Sequence, residues 1–109
     1  MSGFYFDTRT LAKFADEKMN KVNLHSSDQM FCDIYCLLPG QAQKDHAHDG
    51  NDKVYCVLSG RPTIRIGEEF RELGASEVAV APAGVIHGVR NETGENATLL
   101  VIMAPPPGS

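Results

Sequence analysis

The chain has 109 residues, a net charge of −4, 42% hydrophobic residues and 22% charged residues. This length fits a single domain. The mixed acidic and basic residues argue against a nucleic-acid partner, whose binding surface would need clustered lysine and arginine. The longest apolar run, residues 97–104, has the length of a strand, so we expect no membrane association either.

The three cysteines indicate where the protein works. They are Cys32, Cys36 and Cys56, an odd number at spacings that match no zinc motif. The first ten residues do not have the basic region and apolar run of a secretory signal. We therefore expect a cytoplasmic protein with buried free thiols. Cys32 and Cys36 lie on the same side of a predicted strand, which we assign to the core.

The N-terminal part has the periodicity of a helix that begins after a cap at Asp7 or Thr8. We expect residues 1–30 to form a segment whose helix packs on the domain that follows. The apolar residues on the packed face of this helix are Leu11, Phe14, Ala15, Met19 and Val22.

From residue 31 onward the pattern changes to short apolar runs separated by Gly, Pro and Asn. About seven strands with turns every 8 to 12 residues predict an all-β antiparallel sandwich or barrel over residues 31–104. Gly67-Glu68 suits a two-residue hairpin turn, residues 41–52 read as a loop or weak strand, and residues 105–109 as a loose tail. The predicted strands are 31–38, 54–58, 63–66, 69–73, 77–81, 87–91 and 97–103.

Three of the four histidines are candidates for a metal site. His46 and His48 are two residues apart, so on an extended segment both side chains point the same way. His87 begins a predicted strand after a turn and can supply a third nitrogen. Three neutral imidazoles bind a divalent metal and leave a coordination position open for water or substrate. His25 lies in a polar turn, and we expect it at the surface.

The residues around these histidines resemble the two motifs of the cupin family, in the same order along the chain. Residues 40–60 fit G-x5-H-x-H-x4-(E)-x6-G, and residues 74–91 fit G-x7-P-x-G-x2-H-x3-N. The resemblance implies an antiparallel double-stranded β-helix, or jelly-roll barrel. It also implies that the three histidines bind a divalent metal such as Fe, Zn, Ni or Mn. The motif residues with structural roles are Gly60 at a turn, Gly84 and Asn91.

The sequence departs from the family pattern at Lys53, which stands where cupins usually have a glutamate ligand. An ammonium has no lone pair and cannot replace a carboxylate ligand. Three alternatives remain. Lys53 extends to solvent, or Asp52 serves as the alternative ligand. In the third, Lys53 binds an anionic or carbonyl-containing substrate beside the metal. Tyr55 has the same strand parity as Lys53, so it is a second candidate for substrate binding or simply a buried barrel residue.

Two functional classes follow from the resemblance. One is a metal-dependent dioxygenase or isomerase that acts on a small anionic or chelating metabolite. The other is a non-catalytic module that binds or senses a small molecule or a metal. A homodimer is expected in either case. The apolar residues 3–6 can then add to the partner's sheet, or else fold onto their own barrel.

Overall fold

A computed structural model describes residues 3–106 and confirms the antiparallel all-β fold. One short helix, α1, precedes nine strands. The elements are α1 Thr8–Leu11, β1 Asn20–Ser26, β2 Phe31–Leu37, β3 Ala42–His46, β4 Asp52–Ser59, β5 Thr63–Ile66, β6 Glu69–Glu72, β7 Val78–Ala81, β8 His87–Arg90 and β9 Ala97–Ala104.

The strands form two sheets that face each other. The larger sheet has the order β1-β2-β9-β4-β7 and the smaller has the order β3-β8-β5-β6, with every pairing antiparallel. Alternate residues of each strand point inward and fill the space between the sheets. The buried core cluster comprises Met19, Tyr35, Leu37, Tyr55, Val57, Ile64, Val89, Leu99 and Val101.

The strand predictions after residue 31 are confirmed to within one or two residues. The segment 41–52, read as a loop or weak strand, contains the five-residue strand β3. Gly67 and Glu68 form the two-residue connection between β5 and β6, and Gly67 has a φ of 61°. A positive φ costs glycine little, which is why it suits this hairpin turn. The predicted tail begins directly after β9, and residues 107–109 lie outside the described part of the chain.

Within residues 3–106, no helix is long and apolar enough to span a membrane.

The short N-terminal helix is present, but the prediction that its apolar face continues to Val22 is wrong. Asp7 caps a helix by accepting a hydrogen bond from the Arg9 amide, but this helix ends at Leu11. The chain then extends, and residues 20–26 pair with β2 as the edge strand β1. This pairing satisfies backbone groups of β2 that would otherwise be exposed, so tertiary hydrogen bonding outweighs the helical spacing of the apolar side chains. Of the predicted helical face, Met19 does reach the core.

The prediction of core thiols is confirmed for Cys36, which is fully buried, but not for Cys32, which is half-buried. The inward residues of β2 include Tyr35 and Leu37, so the alternating cysteines lie on the opposite face of the sheet. Cys36 is nevertheless fully buried, whereas Cys32 and Cys56 are half-buried, and all three thiols are free. Sequence parity identifies the residues that share one face of a strand, but it does not show which face packs against the rest of the protein. In β2 both faces are apolar, so parity alone could not decide.

Two motif residues shape the turns at the end of the barrel away from the histidines. Gly60 has a φ of 77°, and a Cβ atom there would collide with the backbone of Asn96 and Ala97. Asn91 is buried, and its side-chain amide donates hydrogen bonds to the carbonyls of Leu37 and Glu95. Both residues therefore have the structural roles that the motifs predict, because each brings separate turns into close contact.

We expect Gly60→Ala to destabilise the fold by more than about 2 kcal/mol, since it adds both backbone strain and a backbone collision. Gly40 also has a positive φ, 86°, but with open space around it, so Gly40→Ala should cost only about 1 kcal/mol. Gly94 has neither constraint, and Gly94→Ala should be neutral. Urea unfolding of the three variants measures this order, and equal effects at positions 60 and 94 would contradict it.

Candidate metal centre

Strand pairing brings two of the predicted histidines together. His46 ends β3 and His87 begins β8, and the two residues are direct partners in the antiparallel register. His48 follows β3 by two residues, and its carbonyl accepts a hydrogen bond of 2.7 Å from the Gly84 amide. That bond ties the segment after β3 to the turn before β8. All three histidines are therefore held at one end of the barrel by backbone contacts.

The three imidazoles converge as predicted. Their ring centroids lie 4.7 Å apart for His46 and His48, 4.5 Å for His46 and His87, and 5.7 Å for His48 and His87. One nitrogen from each ring lies within 4.8 Å of the others. Ligands about 2.1 Å from a common metal would be separated by roughly this distance or less. The arrangement can therefore hold a single divalent ion with small side-chain adjustments.

Backbone carbonyls orient two of the rings. Nδ1 of His46 donates to the Lys44 carbonyl at 2.7 Å, and Nδ1 of His87 donates to the Val85 carbonyl at 2.9 Å. A carbonyl can only accept, so each ring carries its proton on Nδ1 and keeps a lone pair on Nε2. Metal-binding histidines usually have such a partner, which fixes the tautomer and raises the basicity of the ligand.

The buried Nε2 of His87 is the observation that tests whether a metal fits. His87 is 1% exposed, and its Nε2 has no hydrogen-bond partner among the described residues. An unsatisfied buried polar atom costs about 1–3 kcal/mol, and a metal ion would satisfy this one. The chemistry of the site agrees, because three neutral nitrogen donors suit Fe, Zn, Ni and related divalent ions. The residues present thus fit a metal.

The electrostatics of the cluster favour the neutral form of His48 and His87. Burial lowers the pKa of His87 most, the hydrogen bond with Val85 opposes this shift, and the positive charges of Lys53 and the other histidines lower it further. Burial is also the main cause that lowers the pKa of His48, followed by His46 and Lys53. Neutral imidazole is the form that binds a metal, so these shifts reduce proton competition at neutral pH.

Lys53 does not extend to solvent, and that interpretation is wrong. The residue is 1% exposed, on the inward side of β4. Its ammonium lies 5.2 Å from the ring centroid of Tyr35 and 5.1 Å from that of Tyr55, and it donates to Oε1 of Gln43 at 3.1 Å. A salt bridge to Lys53 is absent among residues 3–106, so its charge is held by two aromatic faces and one neutral amide.

Burial is the main cause of an unusual protonation equilibrium at this lysine. Burial, and secondarily the positive charge of Lys21, lower the pKa of Lys53 from its ordinary value of 10.5 to about 7, while the Asp33 carboxylate opposes them. A buried ammonium without a carboxylate partner is costly. Lys53 therefore carries either a strained positive charge or a free amine at neutral pH, both inside the barrel.

Tyr55 lies beside the histidines, whereas Asp52 points elsewhere. The ring centroid of Tyr55 is 6.2 Å from that of His87, and its buried hydroxyl has no partner among the described residues. Asp52 is exposed and accepts a hydrogen bond from the Ala83 amide. It is not in the group of converging ligand atoms. Asp52, one of the alternatives for the missing carboxylate ligand, therefore lies apart from the three histidines.

Two parts of the site were not singled out from sequence. Gln43 links Lys53 to Tyr35, because its amide nitrogen also donates to the Tyr35 hydroxyl at 3.2 Å. Asp45, next to His46, forms salt bridges of 2.8 Å with Arg65 and 3.7 Å with Arg90. Strand parity could not have indicated Gln43, because a register irregularity between Gln43 and His46 brings residues of opposite parity inward. The Asp45 cluster depends on the pairing of β3, β8 and β5, which the sequence does not reveal.

Comparison with known proteins agrees with the fold. The cupin domain model matches residues 33–103. The structure is similar to a crystal structure of the protein TT1209 from Thermus thermophilus, with 50% identity, a TM-score of 0.92 and coverage of 94% of this chain and 98% of that one. It also resembles an uncharacterized Klebsiella pneumoniae protein with a double-stranded β-helix domain, with 20% identity, a TM-score of 0.88 and coverage of 97% and 93%.

A relative from Streptomyces coelicolor, described as an uncharacterized protein, is 37% identical over 75 residues, which cover 67% of this chain and 68% of that protein. The family match spans well over half of the chain and includes both histidine motifs. The chain therefore belongs to the cupin family.

Proposed function

We propose that this protein is a metal-dependent enzyme, a dioxygenase or isomerase, that acts on a small anionic or chelating metabolite at the three-histidine site. The observation that carries the proposal is the buried, unpartnered Nε2 of His87 within a group of converging imidazoles. A divalent metal with open positions would supply Lewis-acid polarisation of a chelating substrate. Both the bound metal and the reaction are part of what we propose.

The charge of the site supports an anionic substrate. Three neutral imidazoles leave the double positive charge of a divalent metal uncompensated. The usual glutamate is replaced by Lys53, which adds a buried amine instead of a negative charge. The three converging ligand residues include no carboxylate that could offset the positive charge of the metal. A chelating ligand with carboxylate or enolate oxygens would neutralise the site, whereas a neutral ligand would not.

Two inward residues have chemistry suited to orienting such a ligand. Lys53 uses one of its three possible donors, to Gln43, and keeps the others for an anionic group. Tyr55 has a hydroxyl that donates to no described residue. Burial is the main cause that raises the pKa of Tyr55, so its phenol keeps its proton and acts as a hydrogen-bond donor. Both groups lie on β4 and would bind rather than transfer protons.

The first test measures metal content and turnover. Purified protein reconstituted with iron, zinc, nickel or manganese should bind about one metal per chain, and His87→Ala should lose at least tenfold in affinity. The matched control is His25→Ala, because His25 is exposed and outside the cluster. Oxygen uptake or substrate conversion is then assayed with small diketones, catechols, thiols and hydroxy acids.

Metal binding combined with turnover that His46→Ala abolishes would support the enzyme. Metal binding with high affinity for an anionic ligand but no conversion would contradict catalysis and favour a binding or sensing module. A protein that binds no metal after reconstitution would contradict both.

A second prediction concerns the effect of buried Lys53 on the stability of the fold. The folded chain gives up the proton of Lys53 near pH 7, whereas the unfolded chain keeps it up to about 10.5, so this group lowers stability most below pH 7. Lys53→Met should therefore melt several degrees higher than the wild type at pH 6.5, and the gap should narrow as the pH rises toward 10. The same substitution should weaken binding of an anionic ligand to the metal-loaded protein.

The control for this prediction is Lys44→Met, which changes an exposed lysine on β3. Its melting temperature should stay close to the wild-type value at every pH. Lys53→Met that melts below the wild type across the pH range would show that the ammonium stabilises the fold, against the expectation.

A further inference from the structure

The amine of Lys53 has surroundings that suit a nucleophile. Among the lysines that the structure describes, only Lys53 is buried. Its Nζ lies between the rings of Tyr35 and Tyr55, 5.2 Å and 5.1 Å from their centroids, and donates to Oε1 of Gln43. Within residues 3–106 it has no carboxylate at salt-bridge distance. Burial without a negative partner favours the neutral amine, whose lone pair can attack an electrophile.

The protonation equilibrium of Lys53 agrees with this chemistry. Burial, and then Lys21, lower its pKa to about 7, while the Asp33 carboxylate, which accepts a hydrogen bond from Asn23, opposes them. About half of the Lys53 side chains then carry a free amine at pH 7. A lysine with the ordinary pKa is a free amine in only about one molecule in three thousand at this pH. The fold thus gives one lysine a large advantage as a nucleophile.

A cavity of about 430 Å³ lies where the edge strand β1 of the larger sheet meets the edge strand β3 of the smaller one. It is lined by Lys18, Met19, Lys21, Ala42 and Gln43. Gln43 belongs both to the wall of this cavity and to the contacts of the Lys53 amine. Rotation of this one side chain therefore gives a small molecule in the cavity a route to the amine.

The cavity is positively charged, although the whole chain has a net charge of −4. Lys18 and Lys21 are among its lining residues, and none of those residues is acidic. Neither lysine forms a salt bridge in the part of the chain that the structure describes. The Lys21 amine lies 5.3 Å from the centroid of Tyr35, the same ring that Lys53 approaches. A ligand at Lys53 thus has a second amine nearby, which suits a carboxylate.

The hydroxyl of Tyr55 is a second buried group without a full set of partners. It has no hydrogen-bond partner among the described residues, and the Tyr55 ring is one of the two that contact Lys53. Burial is the main cause that raises the pKa of Tyr55, so the phenol stays protonated and can donate. A ligand oxygen beside Lys53 would accept this hydrogen bond and remove the cost of the unsatisfied hydroxyl.

We propose that Lys53 forms a Schiff base with a small carbonyl acid, an aldehyde acid or keto acid whose carboxylate pairs with Lys21. The neutral amine attacks the carbonyl carbon, and an electron pair of the C=O bond moves to the oxygen to give a carbinolamine. The nitrogen lone pair then expels this oxygen, which takes both amine protons and leaves as water. Amine and carbonyl thus yield an imine and one water, and nothing is oxidised or reduced.

Reductive trapping in the metal-free protein is the test. The probes are glyoxylate and pyruvate, cyanoborohydride reduces any imine to a stable secondary amine, and peptide mapping by mass spectrometry locates the label. At pH 7 the label should form at Lys53 about tenfold or more faster than at Lys44, an exposed lysine on β3. Concentrated urea should abolish this difference. The α-amino group, with an ordinary pKa of about 8, is the expected competitor, and the peptide map separates it.

The role of Lys21 is measured by comparing glyoxylate with propanal, an aldehyde without a charge. The ratio of glyoxylate to propanal labelling at Lys53 should fall about threefold or more in Lys21→Met, because a partly exposed ion pair is lost. The ratio cancels any change that the substitution makes in the reactivity of the amine itself. Lys44→Met is the matched control and should leave the ratio at the wild-type value. Both substitutions change exposed side chains, so both variants should fold.

Labelling of Lys53 no faster than that of Lys44, or equally fast in folded and urea-unfolded protein, would overturn the proposal. A ratio that Lys21→Met leaves unchanged would overturn the assignment of the carboxylate to Lys21. The proposal shares with the proposed function only the role of Lys53 as a ligand contact, and it needs no metal. A protein that binds metal and turns over substrate without labelling at Lys53 would therefore keep that function and lose this inference, and the reverse result would do the opposite.

Discussion

The antiparallel pairing of His46 with His87 is the constraint on which the site depends. Register partners on neighbouring strands place the two side chains on the same face within a few ångströms of each other. The carbonyls of Lys44 and Val85 then fix both rings with Nε2 free. A one-residue slip of β3 would turn His46 outward. Asp45, bridged to Arg65 and packed against Gly88, opposes such a slip from the outer side of the same strand.

The buried Lys53, in place of the usual glutamate, distinguishes this barrel from the common cupin pattern. Burying a lysine among two tyrosines and a glutamine lowers the stability of a domain of only 109 residues. Natural proteins accept such costs chiefly where function needs the group. The polar interior thus combines imidazoles that suit a metal with a buried amine that suits an anion. Under the proposed function, the lysine in place of the glutamate would favour an anionic ligand.

Most of the fold was predictable, because short apolar strands and turn glycines are local signals. The convergence of the histidines was predictable too, since the spacing of His46 and His48 and the motif around His87 are visible in the chain. The burial of Lys53 was not, because residue type alone favours a solvent-exposed lysine. The predicted extent of the N-terminal helix was wrong, because the pairing of residues 20–26 with β2 outweighed the local helical periodicity. Parity placed Cys32 and Cys36 on one face but could not show how deeply each is buried, because residues on both faces of β2 are covered.

Three imidazoles, without a carboxylate, are expected to form one metal site. X-ray absorption at the zinc edge of the reconstituted protein measures it directly, because imidazole ligands give a characteristic multiple-scattering pattern. The wild type should show three imidazoles at about 2.0–2.1 Å from the zinc, and His48→Ala should show two. A wild-type spectrum with fewer than three imidazoles, or one that His48→Ala leaves unchanged, would contradict the account.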